Sequence, residues 1–539
     1  MSLGYECIRV ATAAVLLILL ILGPAAAVER PSGEILQALP SASYEVKATL
    51  IRELAATGHP RAVPVLRALS EGDLYVRKAD QRVFIVRKGE GGYDLVDPLS
   101  GEPAGQAGRR DVKRIGINNT LRNVLAAQLA SLSLAAPEAA VRRAAVAQML
   151  GELDASLAAT LRARLAEEPD RGVRGMIREA LALVDLQAAD EATRLAAVQT
   201  LHGSLTPEAR VRLMALAADP EAGEALRTQA RQAVASIDRW RSFYRLMETV
   251  FFGLSAGSVL LLAAIGLAIT FGVMGVINMA HGEFLMLGAY TAYVLQQLLP
   301  GQVGLAVVLA VPAAFAVTGL VGVAIERGLI RHLYGRPLET LLLTFGLSLI
   351  LQQAVRTIFS PLNRSVATPA WMSGAWQINP ALALTYNRLA IILFALAVFL
   401  ALLALLRFTR LGLQVRAVSQ DRQMAQALGV RSEWVDALTF GLGAGIAGIG
   451  GVALSQLTNV GPNLGQAYII DSFLVVVFGG VGNLWGTLVA ALTLGLANKF
   501  LEPAAGAVLA KILVLVFIIL FIQRRPRGLF PQRGRAAEA

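Results

Sequence analysis

Apolar residues follow two different rhythms along the chain. Up to about residue 240 they recur at three- and four-residue spacing between polar positions, the pattern of helices with one buried face. Segments 45–56, 60–69, 120–132, 138–150, 156–167, 173–184, 190–202, 207–217 and 223–237 follow it. Short turns such as Pro137-Glu138, Glu168-Pro169-Asp170 and Asp219-Pro220 separate them. Helix pairs recur roughly every 35–45 residues, as HEAT-type repeats do. The stretch 73–101 breaks the rhythm. Leu74-Tyr75-Val76 and Val83-Phe84-Ile85-Val86 are rich in β-formers and Gly89–Gly92 is a turn, which predicts a small β-meander between helical pairs.

From Phe251 onward the alternation gives way to apolar runs: 252–276, 280–299, 304–325, 338–358, 388–406, 434–458, 468–482, 484–500 and 506–522. Most reach the roughly 20 residues needed to cross about 30 Å of hydrocarbon. The run 468–482 is short and closes on Gly479-Gly480-Val481-Gly482, so a half-helix and a full crossing both stand. The chain opens with Arg9, an apolar run from Val10 to Leu22, Gly23-Pro24 and three alanines. This predicts a signal peptide, an uncleaved anchor helix being the other reading, and both place the residues after it outside the cytoplasm. The expected divisions are a signal peptide 1–27, an extracytoplasmic helical-repeat domain 28–240, a transmembrane domain 241–530 and a cytoplasmic tail 531–539. The expected fold class is all-α: a polytopic transmembrane helical bundle preceded by an extracytoplasmic HEAT-like repeat domain with a small β insertion.

Charge supports this topology. Nine crossings that begin outside end inside. Loop 326–337 (Arg327, Arg331, Arg336), loop 407–433 (Arg407, Arg410, Arg416, Arg422, Arg431) and the tail with Arg524, Arg525, Arg527, Arg533 and Arg535 all fall on the cytoplasmic side. The long loop 359–387 has only Arg364 as a cation and falls outside, in keeping with the positive-inside rule. Composition agrees: hydrophobic residues make up 55% and charged residues 16%, against about 25% charged in soluble domains. The net charge of +11 sits in membrane-flanking loops, with no Lys/Arg stripe interleaved with aromatics, so nucleic acid is not an expected partner.

Several chemistries are excluded. The single cysteine, Cys7, permits neither an internal disulfide nor a multi-Cys metal site. His59 and His202 have no neighbours at metal-ligand spacing, so no metal or catalytic set is expected. No GxxxxGK[ST] string occurs. Gly443-Ala-Gly445-Ile-Ala-Gly448 lies inside an apolar span rather than between a strand and a helix, and does not read as a nucleotide fingerprint. Gly441, Gly445, Gly448 and Gly451 form a small-residue stripe that lets helices approach closely.

Between Phe252 and Ile325 the only acidic or basic side chains are His281 and Glu283. With Asn278, bracketed by Gly275 and Gly282, they mark either a broken backbone lining a substrate pathway or a set of ties at a helix end. Asp471 is a fourth pathway candidate, with a helix N-cap as its alternative. Lys499 and Glu502 read as snorkelling near an outer boundary. Residues 411–430 predict one cytoplasmic amphipathic helix ending at Gly429. Its apolar members Val415, Val418, Met424, Ala425 and Leu428 could enter a groove on a soluble partner.

Three motifs in order carry a resemblance. They are Gly275-x-x-Asn278-Met-Ala-His281-Gly, Arg416-Ala-x-x-x-Asp421-x-x-x-Ala425-x-x-x-Gly429, and Asp471-Ser-Phe-x-Val-Val-Val-Phe-Gly-Gly-Val-Gly482. Together they resemble the branched-chain amino acid/urea family of ABC-importer permeases over about 250–530. The resemblance implies a bacterial inner-membrane permease subunit with no ATPase site and no directly bound cofactor, ATP being hydrolysed by partners. It implies a second permease subunit, two cytoplasmic ATPase subunits and a periplasmic binding protein, with Arg416, Asp421, Ala425 and Gly429 in the ATPase-coupling helix. The long N-terminal domain and the ending 517–534 resemble the urea-type subunit, so urea is the leading expected substrate. A branched-chain amino acid is the alternative within the class, and a passive urea or amide channel with an interaction ectodomain is the alternative outside it. The N-terminal domain itself reads equally as an interaction platform or as decoration.

Overall fold

A computed structural model describes residues 31–89, 92–108, 110–150 and 155–530. The expected signal peptide 1–27, with Cys7, and the expected tail 531–539 lie outside the described residues. The chain divides into two units, Met1–Trp240 and Arg241–Ala539.

The first unit is helical with one sheet. Helices α1 (Ser32–Ala38), α2 (Tyr44–Ala56) and α3 (Ala62–Glu71) precede the sheet. Strands β1 (Leu74–Arg77), β2 (Val83–Gly89), β3 (Gly92–Val96), β4 (Pro103–Ala107) and β5 (Val112–Arg114) lie in the order β4-β3-β2-β1-β5. The expected meander is therefore longer than 73–101. β5 returns to pair antiparallel with β1. Pro103-Ala-Gly-Gln-Ala107 and three-residue β5 have too few β-branched or aromatic positions to be read from sequence. Then come α4 (Asn119–Ser133), α5 (Ala139–Met149), α6 (Ala155–Glu167), α7 (Arg171–Asp185), α8 (Glu191–Thr200) and α9 (Pro207–Ala218). Three of their starts are capped, Asn118, Asp170 and Asp190 each accepting a backbone N–H three residues on. Leu161, Val173, Ile177, Leu201, Leu213 and Ile237 are fully buried in one core. Inside it Arg142 donates to both oxygens of Glu168, at 2.9 and 2.7 Å, and to the carbonyls of Ala136 and Pro137.

Segments 223–237 and 252–276, expected as separate helices, form one helix, α10 (Glu224–Met274). No proline interrupts 224–274, and its first glycine is Gly253, inside the apolar run, so nothing in the sequence stops the helix earlier. Next are α11 (His281–Leu298), α12 (Val303–Gly328), α13 (Pro337–Phe359), α14 (Tyr386–Phe408), α15 (Arg410–Gln420), α16 (Arg422–Ala427), α17 (Ser432–Ser455), α18 (Leu464–Gly479), α19 (Leu484–Ala505) and α20 (Ala507–Arg524). A two-stranded hairpin, β6 (Ala375–Asn379) and β7 (Leu382–Thr385), folds within the 359–387 loop.

From Phe251 onward each expected apolar run lies mainly on a helix, 468–482 ending in the non-helical Gly480-Val481-Gly482, and among the described residues seven helices, not nine, are long and apolar enough to cross a membrane. α11 is not one of them and α18 is shorter. Both lie partly inside the protein. Phe284, Leu285, Met286 and Ala289 of α11 are buried to the last few per cent, as are Val475 and Val476 of α18. An interior helix needs less lipid-facing apolar surface than a peripheral one. Leu320, Leu342, Ile350 and Val508 of the outer helices stay exposed, as lipid-facing side chains do.

Glycine sets the spacing of the interior helices. Gly441, Gly445 and Gly448 face α12, where a Cβ would overlap Val323, the Phe315 ring and the Ala314 carbonyl. Gly451 instead meets the Leu285 carbonyl of α11. The expected single stripe thus serves two partners, because ten residues turn a helix by about 1000°, some 80° short of three full turns. The Gly443–Gly448 string is a packing feature of α17: Gly443 abuts Gly266 and its carbonyl.

Candidate functional site

The backbone breaks where Gly275 and Asn278 predict it. α10 ends at Met274, Gly275 takes φ +65°, and α11 begins at His281. A positive φ favours glycine, so Gly275 supplies the turn. Asn278 accepts the Ala280 N–H at 3.0 Å through its side-chain oxygen, an Asx-type turn that leads into α11. Its Nδ2, buried, has no protein partner. His281 places Nε2 3.0 Å from the Ala263 carbonyl of α10, tying the two helices across the break.

Glu283 lies in the first turn of α11, where a carboxylate complements the helix dipole. It is 1% exposed. Its Oε1 accepts from Ser348 Oγ and from Gln352 Nε2, both at 2.8 Å. Its Oε2 is buried without a protein partner. The donors belong to a row that sequence reading missed. Thr340, Thr344, Ser348 and Gln352 recur every fourth residue on α13, all at most 4% exposed, while Leu342, Phe345 and Ile350 of the same helix face outward. Thr344 accepts the Met279 N–H at 3.2 Å. Arg356, one turn beyond Gln352, donates to Asn463 at 2.7 Å. The signal was available as a four-residue period of polar side chains inside an apolar run, which places them along one side of a helix.

Asn278, His281 and Glu283 thus all lie at the break but face different partners: Asn278 its own turn, His281 the Ala263 carbonyl of α10, and Glu283 the polar row of α13, which also holds the Met279 N–H. Asp471 does not join them. It is not an N-cap, since α18 begins at Leu464 after Asn463, and its carboxylate pairs with Lys511 at 3.1 Å. Lys499 and Glu502 pair with each other.

The segment expected as one helix over 411–430 is two helices, α15 and α16. Asp421 adopts an extended conformation (φ −152°, ψ 106°) and accepts the Met424 N–H at 2.9 Å, ending one helix and capping the next. Val415, Val418 and Ala425 are buried against Val435 of the chain itself, so they are not free to enter a partner's groove. Of the expected set Met424 and Leu428 remain, at 59% and 79% exposure, and Leu413, not read from sequence, joins them at 62%. Arg416 donates to the Leu406 carbonyl at the end of α14. Gly429 closes α16 with φ +89° and open space around it. A second cluster missed from sequence fixes this element. Arg422 of α16 pairs with Asp436 of α17 and lies 4.8 Å from the Tyr334 ring centre, and Tyr334 donates to Glu326 of α12 at 3.2 Å. Asp436 is fully buried. Its carboxylate is spaced 14 residues from Arg422, a contact no local pattern announces.

No group of three or more His, Cys, Asp or Glu that could hold a metal occurs among the described residues.

Comparison with known proteins points one way. A family model described as "Branched-chain amino acid transport system / permease component" matches residues 249–522. The chain is 31% identical over 296 residues to the high-affinity branched-chain amino acid transport system permease protein BraD of Pseudomonas aeruginosa, covering 53% of this chain and 96% of that protein. It is 29% identical over 297 residues to the corresponding LivH protein of Escherichia coli K12, again 53% and 96%. The ribose import permease protein RbsC of Escherichia coli K12 is 27% identical over 274 residues, 49% of this chain and 80% of that one. No solved structure matches.

Proposed function

We propose that this chain, which belongs to the branched-chain amino acid transport system permease family, is the membrane-crossing subunit of an ATP-driven importer of branched-chain amino acids. The observation that carries the reading is the extent of the match: 96% of the length of two branched-chain amino acid permeases aligns with this chain. This replaces urea as the leading substrate, because urea rested on the N-terminal domain and the 517–534 ending alone.

On this reading the break 275–280 and the polar row of α13 belong to the substrate route through the bundle. The Arg410–Gly429 element presents Leu413, Met424 and Leu428 to a cytoplasmic ATPase subunit. The Arg422–Asp436 pair carries its motion to α17, which packs on α11 and α12 through glycine. Closure of an ATPase dimer would then shift the bundle between two packed arrangements. The assembly comprises a second permease subunit, two ATPase subunits and a periplasmic binding protein in a bacterial inner membrane. Residues 28–240, read as HEAT-like, lie outside the cytoplasm, and the C-terminus lies inside.

Urea import is the second reading, and one observation favours it. The relatives are almost fully covered by about half of this chain, so residues ahead of 249 have no counterpart in the family match.

The test is uptake of labelled leucine and labelled urea into proteoliposomes holding the assembled complex, with and without ATP and binding protein. ATP-dependent leucine uptake is expected. ATP-dependent urea uptake without leucine uptake would reverse the order of the two readings. Flux indifferent to ATP would refute both and leave a passive channel.

A further inference from the structure

We infer that Glu283, held by Ser348 and Gln352, is the seat of the substrate's ammonium group during passage through the bundle; the inference rests on the amino-acid reading above.

The geometry separates two tasks that Glu283 could perform. As a tie between α11 and α13 it needs only one oxygen, since Ser348 Oγ and Gln352 Nε2 both donate to Oε1 at 2.8 Å. A glutamine would accept both bonds through its single carbonyl oxygen, with no ionisable group. A carboxyl this buried is costly, and neither bond of the tie requires its charge, which has the Arg356 guanidinium as its nearby countercharge. Its second oxygen, Oε2, lies buried with no protein partner. An N–H-rich cation of small size is the ligand that uses this oxygen and offsets the desolvation of the carboxylate. The α-ammonium of an amino acid is such a group; urea, being neutral, gains less from the charge.

The surroundings supply the other end of a zwitterion. Arg356 stands four residues beyond Gln352, so the two positions are neighbours on one side of α13, about 6 Å apart. Its guanidinium has made one hydrogen bond, to Asn463, and keeps donors for a carboxylate. Asn278, with its free Nδ2, stands three residues before His281 at the entry to α11. The Glu283 carboxylate, held from α11 against Ser348 and Gln352, and the Arg356 guanidinium one turn further along α13 orient an amino acid along that helix, leaving its side chain to the apolar bundle.

Two substitutions divide the readings. Glu283→Gln keeps the tie and removes the charge; Glu283→Asp keeps the charge and, one methylene shorter, draws away from Ser348 and Gln352. Each is assembled into the full complex, and ATP-driven leucine uptake is measured beside the thermal stability of the complex. The expected order is wild type, then Asp, then Gln, with Gln slower by about 10- to 100-fold, the worth of one charged hydrogen bond. The stability order is expected to be the reverse, Gln above Asp. Asp transporting no better than Gln would overturn the inference while leaving the importer reading intact, provided the wild type imports leucine. A wild type that imports urea and no amino acid would overturn both.

Discussion

Arg422→Ala is the most direct probe of how the cytoplasmic element is held to the bundle. Asp436 is fully buried in α17 and its partner is the Arg422 guanidinium, whose side chain is 36% exposed. Removing one member of a fully buried ion pair costs about 3–5 kcal/mol, because the remaining charge is left without compensation. Water reaches Arg422 from one side, so the expected cost here is lower, about 2 kcal/mol, or roughly a 30-fold rise in the population with α16 detached. Amide hydrogen exchange on the full chain in detergent reads this directly. Residues 411–428 should lose about that factor of protection, whereas α11 and the glycine-packed part of α17 should keep theirs. ATP-driven uptake should fall in parallel, since a detached element transmits no motion. Replacing both Arg422 and Asp436 with leucine should restore protection, because an apolar pair removes the uncompensated charge. Unchanged exchange in Arg422→Ala would refute the reasoning and make the pair incidental.

Gly448→Val should reduce recovery of folded membrane unit on size-exclusion chromatography. Its Cβ would overlap Thr318 and the Ala314 carbonyl, and overpacking of a backbone contact costs about 1–3 kcal/mol or more. Wild-type recovery and stability would show that α17 and α12 are not in register there. The N-terminal unit should weaken in acid. Arg142 beside Glu168 holds that carboxyl below the usual carboxylate range. Its stabilisation is complete above the unfolded value of about 4.3 and is lost as pH falls through that value toward the native one. Exchange protection of α5 and α7 in the full chain should therefore be flat from pH 8 to about 6 and decline below about 4.5; Glu168→Gln should flatten the decline and lower the plateau. A decline of equal depth in that variant would assign the acid sensitivity to other carboxyls.

Much of the membrane unit was legible because its signals are local. Each apolar run that reads as a span is a helix, Gly275 marks the break, and Gly429 ends α16. The features that went unread needed knowledge of neighbours. The 411–430 stretch has a continuous helical period, yet Asp421 turns its carboxylate onto the Met424 N–H and splits it, a local alternative that tertiary packing of Val415, Val418 and Ala425 selects. Asp471 begins no helix, since the packing of α18 extends its start back to Leu464. The join of 223–237 to 252–276 was missed because the polar stretch between them interrupts the hydrophobic period without containing a residue that stops a helix.

By itself the sequence determined where most helical and apolar segments lie, seven of the nine expected spans among them, and that a carboxylate and an imidazole stand at a glycine-flanked break. Periodicity, glycine and proline act over a few residues, so one dimension suffices to see them. The tertiary structure alone decided which polar groups meet. Glu283 reaches Ser348 and Gln352 across 65 and 69 positions, and Arg422 reaches Asp436 across 14. Such pairings depend on the rotation of each helix about its axis, which glycine contacts with several neighbours set jointly, and no single segment carries that information.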